Sequence, residues 1–249
     1  SFWIDALCLP LTPSATPLSA AATLDRYTDL LTQIPRLVIV VTPWRRPKSV
    51  RRPQSWIEAL AALRAGADIE AVFLPTEVTE FERALRAGSL DRTDLAELVD
   101  AFTLGKVEAL TPAARAELAD LVGKHPTASA QLTKIVFTKL MDMAKRVAVE
   151  TDGAEELVNV WTGLGVLAHA FGALDEAEAW YGRALAALQS MHDDDAVNNH
   201  HAVMLGDTTR AKESLVLGHL AAVHSARGNA AKALTCWERA LAMDEATLG

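Results

Sequence analysis

The sequence predicts an α/β amino-terminal part with a short parallel sheet, followed by an all-α part made of helical hairpins. Up to residue 75, short continuous apolar runs alternate with segments of helical periodicity, in the order β-α-β-α-β. This alternation favours parallel strands joined by covering helices. Beyond residue 75 the apolar residues recur at helical spacing, and two segments near the end repeat one another. We therefore expect strands in the first third of the chain and helices after it.

Composition and charge limit the classes of function. The chain has 249 residues, of which 50% are hydrophobic and 22% charged, as in globular domains and unlike a disordered chain. No apolar run approaches the roughly 20 residues that span a bilayer, so we expect no membrane partner. Cys8 and Cys236 are too far apart in sequence to suggest a disulfide framework, and a cytoplasmic setting follows. A net charge of −8 argues against a nucleic-acid-binding chain.

The predicted sheet has three strands, at residues 2–9, 36–42 and 69–74. One helix carries Leu24, Tyr27 and Leu30 on one face. A second helix, with Trp56, Ile57, Leu60 and Leu63, closes at Gly66. The chain begins in what resembles the middle of a buried strand, so we expect an incomplete sheet that lacks upstream sequence. These elements define an α/β domain over residues 1–88.

A helical connector is predicted over residues 89–157. Thr111 and Pro112 form a cap and first-turn signal for a helix that runs to Gly123. A longer helix follows, and its predicted buried side carries Leu132, Ile135, Leu140, Met143 and Val147.

Residues 158–191 and 214–247 can be superimposed without gaps. A glycine marks the turn in each copy, at Gly172 and Gly228, where a positive φ is expected. Small residues at matching positions let two helices approach closely; they are Gly165 and Ala177 in the first copy, and Ala221 and Ala233 in the second. A large aromatic residue follows in each copy, Tyr181 in the first and Trp237 in the second. The alternative is an ordinary antiparallel helix pair.

This spacing resembles the tetratricopeptide repeat, whose unit is about 34 residues. Residues 174–185 and 226–241 look like its kinesin-light-chain subtype. The resemblance covers residues 158–249 and implies a scaffold or adaptor of signalling type, with a protein or peptide partner bound in a concave groove. Further repeats would be expected after Gly249. The implied groove residues are Asn159, Thr162, Val166, His169, Leu215, His219, Ala222 and Ser225.

The amino-terminal part has a resemblance of its own. The segment 2–8, the strand ending before Trp44 and the segment 51–58 are similar to Toll/interleukin-receptor-like and heterokaryon-incompatibility-like domains. Arg52 and Glu58 fall on the arginine and glutamate of their helix-opening motif. Some of these domains cleave NAD, which would make Glu58 a catalytic residue that stabilises an oxocarbenium ion. The alternative is that Glu58 is an exposed acid in the first turn of a helix.

Two polar segments were considered as ligand sites. The loop 43–54 could hold a phosphate group next to a helix N-terminus, or could be a solvated surface; its basic residues are Arg45, Arg46, Lys48, Arg51 and Arg52. The spacer 192–213 contains histidine, aspartate and asparagine, which suit a metal ion, but lacks a fixed ligand spacing. We expect a polar loop there, with no metal and no cofactor. A non-catalytic interaction scaffold is therefore the leading prediction.

Overall fold

A computed structural model describes residues 19–103, 107–108, 111–198 and 202–248, without the side chains of 193–198, 202–207 and 246–248. The described chain is mostly helical and has one two-stranded parallel sheet. It divides into two compact units, residues 1–74 with 100–135, and residues 75–99 with 136–249. Among the helices described, none is both long enough and apolar enough to cross a membrane.

The first unit contains the sheet. Helix α1 (Ala20–Gln33) leads to strand β1 (Arg36–Val40), helix α2 (Pro53–Ala65) and strand β2 (Asp68–Val72). The strands pair in parallel from Arg36 opposite Asp68 to Val40 opposite Val72. Helix α2 ends at Gly66, whose φ of 66° is the left-handed conformation that glycine adopts without strain. The predicted β-α-β order is confirmed here, whereas the predicted strand at 2–9 lies outside the described residues.

Local sequence signals set the ends of the helices in this unit. The hydroxyl of Ser19 accepts a hydrogen bond from the Ala22 amide at the start of α1. Helix α4 (Arg92–Ala101) precedes helix α5 (Pro112–Gly123), and the Thr111 hydroxyl caps α5 as predicted, 3.1 Å from the Ala114 amide. Helix α6 (Ala128–Val149) follows. The boundaries between the two units fall before Pro75, within α4 and within α6, so that residues 92–99 of α4 and 136–149 of α6 belong to the second unit.

The second unit includes helix α3 (Pro75–Arg86), which the sequence placed in the α/β domain. Phe81, Ala84 and Leu85 form a buried face on α3. This face belongs to a helical core with helix α7 (Ala154–Ala170), not to the sheet. The unit boundaries consequently differ from the predicted boundaries at 88 and 157. The reason is that the apolar face of α3 packs against α7, about 70 residues further along the chain.

Two helix pairs complete the second unit. Helix α7 packs against α8 (Leu174–Asn198), and α9 (Ala202–Ala226) packs against α10 (Ala230–Leu248). Each pair turns at a glycine with nearly the same φ, 77° at Gly172 and 76° at Gly228. Contacts symmetric about each turn show that the paired helices run antiparallel, with Gly165 against Tyr181 and the Ser214 hydroxyl against the Ala240 carbonyl.

The predicted polar loop between the copies is wrong. Helix α8 continues to Asn198 and α9 begins at Ala202, so most of the spacer is helical. Thr209 and Glu213 are buried, and the Glu213 carboxylate pairs with His192 at 3.5 Å and with Arg239 at 3.6 Å. Polar composition suggested a loop, but tertiary contacts like these stabilise helical turns whose own propensity is weak.

Candidate protein-docking groove

The predicted groove residues lie on two helices of the second unit. Four belong to α7 and four to α9, at intervals that place each set on one face of its helix. Leu215 is 54% exposed and Ser225 is exposed, whereas Ala222 is half-buried. The face of α9 therefore combines an accessible leucine with small side chains.

His169 on α7 and His219 on α9 mark the centre of this surface. Burial lowers the pKa of His169, and the Arg92 guanidinium lowers it further. Burial lowers the pKa of His219 to about 4, with added repulsion from Arg92 and from His169. Helices α7 and α9 are in contact, so their predicted faces are neighbours. Since its pKa is so low, His219 is neutral at pH 7 and can both donate and accept a hydrogen bond.

Tyr181 on α8 lies beneath His219. Its side chain is fully buried, and its ring stacks on the His219 ring with 5.4 Å between centroids and 10° between planes. A Cβ atom at Gly165 would lie only 2.5 to 2.8 Å from three atoms of the Tyr181 ring. The small-residue pattern predicted a close approach of two helices at Gly165, and the structure shows that Gly165 makes room for the Tyr181 ring, which in turn supports His219.

Asn159 has a different role from the predicted one. Its side-chain amide donates a hydrogen bond to the Arg86 carbonyl at 3.0 Å, and it lies close beneath Gly88. One turn further along α7, a Cβ at Gly163 would be 2.6 Å from a methyl of Leu85. Helix α3 thus covers the amino-terminal end of the predicted groove, so Asn159 holds α3 in place.

Val166 of α7 is turned inward, since it is only 3% exposed. Thr162 is half-buried, and its hydroxyl donates to the Val158 carbonyl at 2.8 Å within the same helix. Outside the part covered by α3, the predicted groove residues that are exposed or half-buried are Thr162, His169, Leu215, His219, Ala222 and Ser225. Gly163 is the position of the first copy that is equivalent to His219 in the second. A glycine at this position was the feature of the sequence that could have indicated a close approach of another helix to α7.

The basic loop of the first unit is only partly exposed. Arg46, Lys48 and Arg52 are exposed, whereas Arg45 and Arg51 are half-buried. The Arg45 guanidinium lies 4.9 Å over the ring of the buried Trp44. Because two of the five cations are drawn into the fold, the loop does not present all five to an anion.

Glu58 is half-buried and lies in the second turn of α2. The alternative that it is an exposed first-turn acid is therefore wrong, because α2 begins at Pro53 and its first turn contains no acid. Arg52 is the N-cap residue of the same helix. Arg52 and Glu58 therefore lie at the N-cap and in the second turn of the same helix.

No group of three or more histidine, cysteine, aspartate or glutamate side chains with the geometry of a metal site occurs in the described part of the chain. The 193–201 portion of the polar spacer lies outside the described side chains. No family model, curated protein or solved structure matches the chain. The candidate groove is therefore described from this structure alone, as the surface of α7 and α9 that centres on His169 and His219.

Proposed function

We propose that this chain is a protein-interaction scaffold whose two helix pairs are of tetratricopeptide type and bind a partner segment in the groove of α7 and α9. The residue types at equivalent positions support this repeat type, since a turn glycine recurs at Gly172 and Gly228 and a small helix-contact residue at Gly165 and Ala221. The nearly identical φ angles at the two turns support it as well.

The contact between α7 and α9 is the observation that carries the proposal. The two helices that carry the predicted groove residues pack against each other although they are about 50 residues apart in sequence. Leu215 supplies an apolar contact. A single exposed leucine of this kind is common on the surface of a monomeric protein. Imidazole groups that are neutral at pH 7 supply hydrogen bonds to the backbone or side chains of an extended segment.

Selection of binding peptides from a random phage-displayed library on the whole chain tests this proposal. We expect selected peptides to lose at least about tenfold in affinity when Leu215→Glu and Ser225→Glu are introduced. Both positions are exposed, so the fold should be retained. Val149→Glu on α6 is the control, because that valine is 86% exposed and lies on neither helix of the groove.

The proposal fails if the selected peptides bind the Leu215→Glu and Ser225→Glu protein as tightly as the unchanged protein. It also fails if the library yields no peptide that binds, while circular dichroism shows the chain to be folded.

A further inference from the structure

Helix α10 exposes a stripe of large apolar side chains. Leu234 is 56% exposed, Trp237 48% and Leu241 58%. Their spacing of three and four residues puts them on one face of the helix. On the adjoining side of the helix, Ala233 and Ala240 are buried against α9. Helix α10 is therefore apolar on two sides, and only one of them is used within its own helix pair.

The equivalent face of α8 in the first helix pair shows what kind of element packs on a face of this type. Tyr181 occupies the position of Trp237, yet it is completely buried because α9 packs on it and stacks His219 against its ring. The face of α10 continues this established interface by one repeat. A helix is accordingly the shape that fits the stripe.

Helix α7 of a second copy of this chain could not pack on α10 in the way that α9 packs on α8. The position on α7 that corresponds to His219 is Gly163, and Leu85 of α3 already lies against it. Two α10 faces could instead meet about a twofold axis near Trp237. That arrangement would bring Glu238 of both copies together, which like-charge repulsion disfavours.

The borders of the stripe are acidic. Glu238 lies one turn beyond Leu234, and Asp244 and Glu245 lie one turn beyond Leu241; all three are exposed. None of these carboxylates forms an ion pair with a residue in the described part of the chain. They give the stripe a negative border.

Leu234 also distinguishes this face from that of the first pair. The equivalent residue there is Glu178, which pairs with Arg227 of the second pair. Because leucine replaces a carboxylate here, a helix packed on α10 would meet an apolar side chain at this point. Cations of such a helix would find carboxylates only at the edges of the stripe, at Glu238, Asp244 and Glu245.

We propose that the face of α10 formed by Leu234, Trp237 and Leu241 binds a single amphipathic helix of a partner protein, with an apolar stripe flanked by lysine or arginine. The apolar side chains of that helix cover the stripe, and its cations pair with the acidic border. This surface is separate from the groove of α7 and α9, so the proposal does not depend on the proposed function.

Two synthetic helical peptides test this proposal against the whole chain. Both carry leucines at positions i, i+3, i+4 and i+7, but one is flanked by lysine and the other by glutamate. Fluorescence anisotropy of the labelled peptides at near-physiological salt measures binding. We expect the lysine-flanked peptide to bind, and to bind about tenfold more weakly to Trp237→Ala and to Leu234→Gln. We expect the glutamate-flanked peptide to bind at least tenfold more weakly to the unchanged protein.

Leu74→Ala is the control, since it removes an exposed leucine of the first unit and should leave peptide binding unchanged. Joint substitution of Glu238→Gln, Asp244→Asn and Glu245→Gln should weaken lysine-flanked binding and reduce its salt dependence. Equal binding of both peptides, or equal binding by Trp237→Ala and the unchanged protein, would overturn the proposal. Sedimentation that shows a dimer dissociated by Trp237→Ala would overturn it in favour of self-association.

Discussion

At the scale of single residues, Gly165 has the clearest structural role. It lies inside α7, where glycine is unfavourable for a helix by roughly 1 kcal/mol relative to alanine. The fully buried ring of Tyr181 accounts for its presence, because the ring fills the space that a Cβ atom would need. The sequence pattern correctly predicted a small residue here for close helix approach, but it did not show which side chain occupies the space.

Gly165→Ala should lower the free energy of unfolding by about 2 kcal/mol, because the Tyr181 ring would have to shift within a packed interior. Urea denaturation followed by circular dichroism measures the change. Gly182→Ala on α8 is the control, since a Cβ there meets no atom within 4 Å. The control should be neutral or stabilising by up to about 1 kcal/mol. Equal effects of the two substitutions would contradict the role assigned to Gly165.

His219 predicts a dependence of stability on pH. Its pKa falls from the usual 6.5 to about 4 in the folded chain, chiefly through burial. As pH is lowered through this interval, the unfolded chain binds a proton before the folded chain does, so stability is lost. We expect the free energy of unfolding to fall by about 2 kcal/mol between pH 6.5 and about 4, and to be insensitive to this group above that range.

His219→Phe keeps an aromatic ring on Tyr181 and removes the titrating group. The same denaturation series should then show a flatter profile below pH 6.5. A profile as steep as that of the unchanged protein would mean that other groups cause the loss of stability.

At the scale of elements, local sequence signals and tertiary contacts determined different helix ends. The Thr111–Pro112 signal and the turn glycines were predictable, because they depend on backbone conformation within a few residues. The continuation of α8 and α9 through the spacer was not predictable from that segment's polar composition. Buried groups such as Glu213, which pairs with His192 and Arg239, favour the helix there.

The two turns of the helix pairs should respond equally to substitution. Gly172→Ala and Gly228→Ala should each lower the free energy of unfolding by about 1 kcal/mol, because both residues have a φ near +77° that side chains disfavour. No atom crowds either position, so backbone strain is the only expected cost. Gly218→Ala, inside α9 with open space around it, is the control and should not be destabilising. Thermal unfolding of the three variants measures these differences.

At the scale of the whole molecule, the scaffold prediction and the NAD-cleaving alternative make opposite statements about activity. Glu58 is a half-buried residue of α2. We expect the chain incubated with NAD to release no nicotinamide above the level of a Glu58→Ala variant, as followed by liquid chromatography. Release that Glu58→Ala abolishes would establish the enzymatic alternative and displace the scaffold as the sole function.

The sequence by itself determined the mostly helical second part, the parallel pairing of two strands, the helix caps and the repeated turns. These features follow from periodicity and backbone preference over a few residues. Only the tertiary structure decided that α3 packs on α7, that Asn159 holds α3, and that Trp237 is exposed where Tyr181 is buried. Such outcomes depend on which distant apolar surfaces meet, and local patterns carry no information about that choice.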